Sequence, residues 1–135
     1  MIVIDASTAL AWAFNDDNFA DRFADQLASE RLLAPPIWRL EVVNVILRNE
    51  RQRLITLEQG NRILAALNAI DVEIVDSQAA QALEQLAAFA RPHQLTAYDA
   101  AYLDVALKSS ATLLTLDQNL IDAAGRLGVS LMETL

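Results

Sequence analysis

The stretch Ile2-Val3-Ile4-Asp5-Ala6-Ser7 decides the reading of the fold. Three consecutive apolar residues leave no polar face, the pattern of a strand covered on both sides in a parallel sheet. An acid then stands where the strand would leave the sheet. Working outward, Leu32 to Ala34 is a second short apolar strand, terminated by Pro35-Pro36. Val72 to Val75 is a third, Thr112 to Leu116 a fourth, and Val129 to Met132 a candidate edge strand. Helical periodicity fills the intervals. It covers Thr8 to Phe14, then the stripe Phe19, Ala20, Phe23, Ala24, Leu27 and Ala28. Further helices run over Trp38 to Leu54, Leu57 to Ile70, Gln78 to Ala90, Thr96 to Lys108 and Leu120 to Leu127. Short apolar strands alternating with helices predict parallel crossovers. The expected architecture is a three-layer α/β/α sandwich around a central, mostly parallel sheet.

The composition bounds what such a chain does. Its 135 residues, 54% apolar and 21% charged, fit a single domain over 1–135 and exclude intrinsic disorder. A core of that size needs no disulfide or structural metal. No uncharged apolar run approaches the ~20 residues of a membrane span. The N-terminus has no basic region and carries an acid at position 5, unlike a signal peptide, so a cytoplasmic protein is expected. The absence of cysteine removes disulfide frameworks, thiolate metal sites and cysteine nucleophiles together. The formal net charge is −8, and nine of the ten basic residues are arginine. Such a chain binds nucleic acid poorly unless bound cations cancel some of its acids. A basic protein partner fits the charge equally well.

Four carboxylates carry the chemistry. Asp5 and Asp117 directly follow the first and fourth predicted strands, and open α/β sheets form their sites outside the carboxyl ends of strands. Taken alone, each reads first as the N-cap of the next helix. Asp99 shares a helix face with Leu103 and Ala106, where an unpaired charge is costly. Its structural alternative is the capping box Thr96-Ala97-Tyr98-Asp99. Asp104 and Lys108 are expected to pair at i, i+4 on a solvated side. Glu41 opens the helix after the second strand, and its stripe continues through Asn44, Arg48 and Arg51. Val42, Val43, Ile46 and Leu47 are the expected apolar face of that helix. Four acids at one sheet edge form a hard-oxygen set suited to Mg²⁺ or Mn²⁺. These ions activate water and neutralise charge in phosphoryl chemistry. His93, in Arg91-Pro92-His93-Gln94, has no second histidine or cysteine to build zinc or triad chemistry with. Trp12, Phe14 and Trp38 read as core or interface packing.

Taken in order, Ile4-Asp5-Ala6-Ser7-Thr8-Ala9-Leu10, Glu41 after the proline-rich strand end, Thr96-Ala97-Tyr98-Asp99-Ala100-Ala101-Tyr102-Leu103 and Leu113-Leu114-Thr115-Leu116-Asp117 resemble the motifs of PIN domains. Within that fold the short chain is similar to VapC-type toxins of bacterial toxin–antitoxin pairs. The resemblance implies a Mg²⁺-dependent endoribonuclease, with Mn²⁺ a substitute, held inactive by a cognate antitoxin. It implies Asp5, Glu41, Asp99 and Asp117 as the catalytic carboxylates, with Asp5 and Asp99 the principal metal ligands. Glu41 and Asp117 complete the pocket, directly or through water. Ser7, Thr115 and Asn44 would orient these groups. A homodimer and an RNA substrate are implied, with DNA reached only through the antitoxin. Arg48 and Arg51 lie at rises of roughly 10 and 15 Å from Glu41 on one helix face. They are the candidate RNA-phosphate contacts, against the plainer reading that they pair with surface acids such as Glu50. Two other functions compete: a catalytically silent interaction module of the same fold, and an aspartate-nucleophile phosphatase. The phosphatase typically needs a second aspartate where Ser7 stands.

Overall fold

In the computed structural model, four strands form one parallel sheet in the order β3-β2-β1-β4. The structure describes residues 1–14, 25, 27 and 29–132. β1 is Ile2–Ile4, β2 Leu32–Ala34, β3 Val72–Ile74 and β4 Thr112–Leu114. Ile2 is in register with Leu32 on one side and Thr112 on the other. β1, β2 and the last two residues of β4 are buried, as unbroken apolar runs require in a sheet covered on both faces. The helices α1 (Ala6–Ala13), α2 (Ile37–Arg51) and α3 (Leu57–Asn68) pack on one another. On the other flank, α4 (Leu83–Ala90) and α6 (Gln118–Leu127) pack against α5 (Ala97–Lys108), which lies across β1, β2 and β4. This is the expected three-layer sandwich. The chain winds outward from β1 through β2 to β3, then returns to the opposite side of β1. The winding reverses between β1 and β4, and such switch points open a crevice beyond the carboxyl ends of the strands. No helix among the described residues is long and apolar enough to cross a membrane.

Several boundaries differ from the sequence reading, each for a local reason. α1 starts at Ala6 rather than Thr8, because the Asp5 carboxylate caps it by accepting from the Thr8 backbone N–H. α2 stops at Arg51 rather than Leu54. Arg53 turns left-handed at φ 59°, its N–H donating to the Glu50 carbonyl while the Leu54 N–H donates to that of Asn49. That pair of bonds is a Schellman closure, here without the usual glycine. β4 ends at Leu114 because the Thr115 side chain, not the ladder, bonds its surroundings. The expected 78–90 helix splits into a 3-10 turn, Ala79–Gln81, and α4, with Ala82 extended between them. The 129–132 edge strand reduces to one bridge, Leu113 to Leu131. Most of the Phe19 to Ala28 stripe lies outside the described residues, although Leu27 packs against the core.

Two expected faces were wrong. Asp104 is 1% exposed and makes no pair with Lys108; its carboxylate accepts from the Ser77 hydroxyl at 2.7 Å and the Ala79 N–H at 3.0 Å. A helical wheel assumes one buried side, whereas α5 is enclosed between the sheet and its own helical layer. Ala100, Tyr102, Leu103, Asp104, Val105 and Ala106 are all buried. On α2, the buried stripe is Trp38, Val42 and Ile46, while Val43 and Leu47 are exposed. With Leu40 they line an open groove that includes Ile37, Glu41, Asn44 and Tyr98.

Candidate active site

At the switch point stand the residues that follow β1 and β4. Asp5 leaves β1 and is 4% exposed, yet its carboxylate is well satisfied. Oδ1 accepts from the Ser7 hydroxyl at 2.8 Å and from the Thr8 N–H at 2.9 Å. Oδ2 accepts from the Thr115 hydroxyl, so the bond spans the exits of β1 and β4. The Thr115 hydroxyl oxygen accepts in turn from the Asp117 N–H at 2.9 Å. Asp117 caps α6, its Oδ1 accepting from Asn119 N–H at 2.8 Å and Leu120 N–H at 3.3 Å. For Asp5 and Asp117 the capping reading therefore holds, one carboxylate oxygen of each closing its helix.

Asp99 sits in the first turn of α5. Thr96 caps that helix, its hydroxyl oxygen accepting from the Asp99 N–H at 3.1 Å. The return bond that completes a capping box is made at Thr56 and Gln59 but not here. The Asp99 carboxylate is instead half-buried among like charges. Burial first, then the charge of Asp117, push it up to about 6, with Glu41 and Asp5 adding to the shift and the Thr96 hydroxyl opposing it. Glu41, in the second turn of α2, is also raised above the usual carboxylate range. Burial is the main cause and Asp5 contributes, while a hydrogen bond from Tyr102 opposes them. That bond, from the Tyr102 hydroxyl to Glu41 Oε1, is 2.7 Å long.

Asp5, Glu41 and Asp117 thus lie within electrostatic reach of Asp99, and Asp5 within reach of Glu41. Ser7 and Thr115 both donate hydroxyl hydrogen bonds to Asp5, and Asn44 shares a groove with Glu41. Arg48 and Arg51 are exposed on α2 and, among the described residues, join no ion pair with Glu50 or any other acid. Tyr102 was missed. Its signal was a tyrosine three residues after Asp99 on a mostly apolar helix, where a buried hydroxyl demands a partner.

The donor set suits one kind of ion. It is all carboxylate oxygen with hydroxyls behind it, and its members repel one another. Among the described residues no three Asp, Glu or His side chains close into a ligand cage. Mg²⁺ is commonly held by one or two carboxylates while keeping several waters, so an open, acidic crevice fits it better than it would fit zinc or calcium.

An all-parallel three-layer sheet with carboxylates gathered at its switch point defines a class of α/β protein before any comparison is made. The PIN domain family model matches residues 2–126, and the chain belongs to that family. No curated protein matches it by sequence. Among solved structures it is similar to PAE2754 from Pyrobaculum aerophilum, with 22% identity, TM-score 0.68, and coverage of 94% of this chain and 88% of that one. It is also similar to FitAcB from Neisseria gonorrhoeae, with 17% identity, TM-score 0.67, and coverage of 99% and 98%. The structure of VapBC2 from Rickettsia felis, bound to a DNA fragment from its promoter, matches with 16% identity, TM-score 0.69 and coverage of 98% of each chain. At these identities the likeness shows the shared fold.

Proposed function

We propose that this PIN domain is a Mg²⁺-dependent endoribonuclease acting as the toxin of a toxin–antitoxin pair. The observation that carries the reading is that Asp5, Glu41 and Asp117 all lie close enough to Asp99 for their charges to add to the effect of burial, which together lift it to about 6. A protein gains nothing in stability from gathering like charges, so the arrangement argues for a cation that relieves them. A bound divalent ion would supply a polarised water and offset charge on the phosphodiester.

Asp5 and Asp99 would hold the ion, with Glu41 and Asp117 beside it, directly or through water. Ser7 and Thr115 keep the Asp5 carboxylate oriented, and Asn44 offers an amide next to Glu41. Arg48 and Arg51, free of ion pairs among the described residues, would meet RNA phosphates flanking the scissile bond. The exposed stripe Leu40, Val43 and Leu47 on α2 suits a second copy of the chain, because a two-fold axis pairs such a stripe with itself. The net charge of −8 supports a basic antitoxin segment as the regulatory partner. Binding through such a partner is also the route by which DNA would be engaged.

Asp99→Asn tests the reading. It keeps side-chain size and the Thr96 cap while removing one ligand charge. RNA cleavage in Mg²⁺ should fall by roughly a thousandfold or more, a loss of about 4 kcal/mol of transition-state stabilisation, with folding intact by circular dichroism. EDTA should stop the parent enzyme. An Asp99→Asn protein that cleaves as fast as the parent would overturn the site. A parent chain that binds an antitoxin but cleaves no RNA would leave the silent interaction module.

A further inference from the structure

We propose that Tyr102 is a positioning residue, holding the Glu41 carboxylate in its place within the acid crevice. The inference deepens the divalent-ion reading of that crevice and rests on it for the consequence, though not for the contact itself.

Tyr102 is 2% exposed and among the largest fully buried side chains. A buried phenol needs a hydrogen-bond partner, and this one finds it in another helical layer, at Glu41 Oε1, 61 residues away in sequence. Asp99 and Tyr102 are three residues apart on α5, so they project from the same side of the helix. One rigid element therefore places two acids, Asp99 by its own backbone and Glu41 through the phenol. The contact also ties α2 to α5 across the crevice.

Glu41 has more to gain from such a tether than Asp5 does. Asp5 is short and held by three donors, from Ser7, Thr8 and Thr115. A glutamate on a helix has three rotatable side-chain bonds, whose freedom must be given up before the group can serve as a ligand. Among the described residues the phenol is the one donor that reaches Glu41, and it leaves Oε2 unengaged.

A purely structural Tyr102 would fill core volume, and phenylalanine would fill it as well. Tyr102→Phe in the full chain separates the two roles. Without added metal, NMR side-chain couplings should report one Glu41 rotamer in the parent and rotamer averaging in Tyr102→Phe. In calorimetric Mn²⁺ titrations, Tyr102→Phe should bind about tenfold more weakly, the low end of what an orienting partner contributes. The double variant Tyr102→Phe with Glu41→Gln should be no weaker than Glu41→Gln alone, because the phenol acts through Glu41. A single ordered Glu41 rotamer in Tyr102→Phe, or losses that add, would overturn the proposal. Absence of Mn²⁺ binding to the parent would sink the ion reading, while the rotamer measurement would still decide whether Tyr102 holds Glu41. If Tyr102→Phe does not fold, the Tyr102 Cζ chemical shift in the parent and in Glu41→Ala reads the same bond from its other end, and identical shifts would reject it.

Discussion

Two buried aspartates, Asp5 and Asp104, stand in this protein in nearly the same local setting. Each accepts from a serine hydroxyl and from a backbone N–H close to that serine, and each is at least 95% buried. Their surroundings differ. Asp5 lies near Glu41 and Asp99, which burial first and neighbouring acids second raise above the usual carboxylate range. Asp104 lies among Leu103, Val105 and Ala106 of α5, pins the Ser77 to Ala80 turn to that helix, and leaves its Oδ1 buried without a partner. Burial of a carboxylate, then, does not mark a chemical site. The proposed site rests instead on several carboxylates standing close together, an arrangement that costs stability unless a cation or substrate offsets it.

The comparison breaks most visibly at Asp104. Replacing it with alanine removes a charged acceptor from the Ser77 hydroxyl and the Ala79 N–H and leaves both without their partner in the interior. Asp104→Ala should lose about 2–4 kcal/mol of unfolding free energy in urea. The variant, where folded, should still bind divalent ions with the parent's affinity, since its contacts lie on the opposite flank of α5 from the acids. Loss of ion binding in a folded, stable Asp104→Ala protein would merge the two regions into one site.

A gentler pair of substitutions sharpens the contrast. Ser77 is 4% exposed; its hydroxyl donates to Asp104 and accepts from the Ala80 N–H at 3.3 Å. Ser77→Ala should cost about 1–2 kcal/mol of stability and leave ion affinity alone. Ser7 is exposed, so water replaces its hydroxyl at Asp5 and Ser7→Ala should stay within about 0.5 kcal/mol of the parent. Its effect should appear in Mn²⁺ affinity instead, as a loss of about tenfold read by calorimetry. Equal stability losses in the two variants would show that the two serines do the same job.

What could be read in advance follows from the range of each interaction. β1, β2 and β4 were legible because a strand covered on both faces is an unbroken apolar run. The four acids were legible because each follows a strand or begins a helix. Capping bonds are local too: Thr8 and Ser7 lie within three residues of Asp5. The contacts that finish the site are not local. Thr115 meets Asp5 across 110 residues and Tyr102 meets Glu41 across 61, and no periodicity announces either. The misplacement of Asp104 and the broken 78–90 helix share one cause. Asp104 accepts from the turn that interrupts that helix, a contact 25 residues away in sequence that makes a polar residue interior.

The smallest effect is electrostatic, and it tests whether burial and the neighbouring acids together disfavour the ionised Asp99. Asp99 is raised from 3.8 to about 6 in the folded protein. Between those values the folded chain holds a proton that the unfolded chain has released. Stability must therefore fall as pH rises through about 4 to 6, and the loss is complete above that window. Because Asp99 is partly open to solvent, screening keeps the change modest. The Asn variant cannot titrate there. In EDTA, the melting temperature of Asp99→Asn should thus climb relative to the parent as pH goes from 4 to 7, and added Mg²⁺ should close the gap at pH 7 by stabilising the parent. A gap that stays constant with pH would mean that neither burial nor the charges of Asp117, Glu41 and Asp5 raise Asp99. The carboxylates at the switch point would then be as independent of one another as Asp104 is of them.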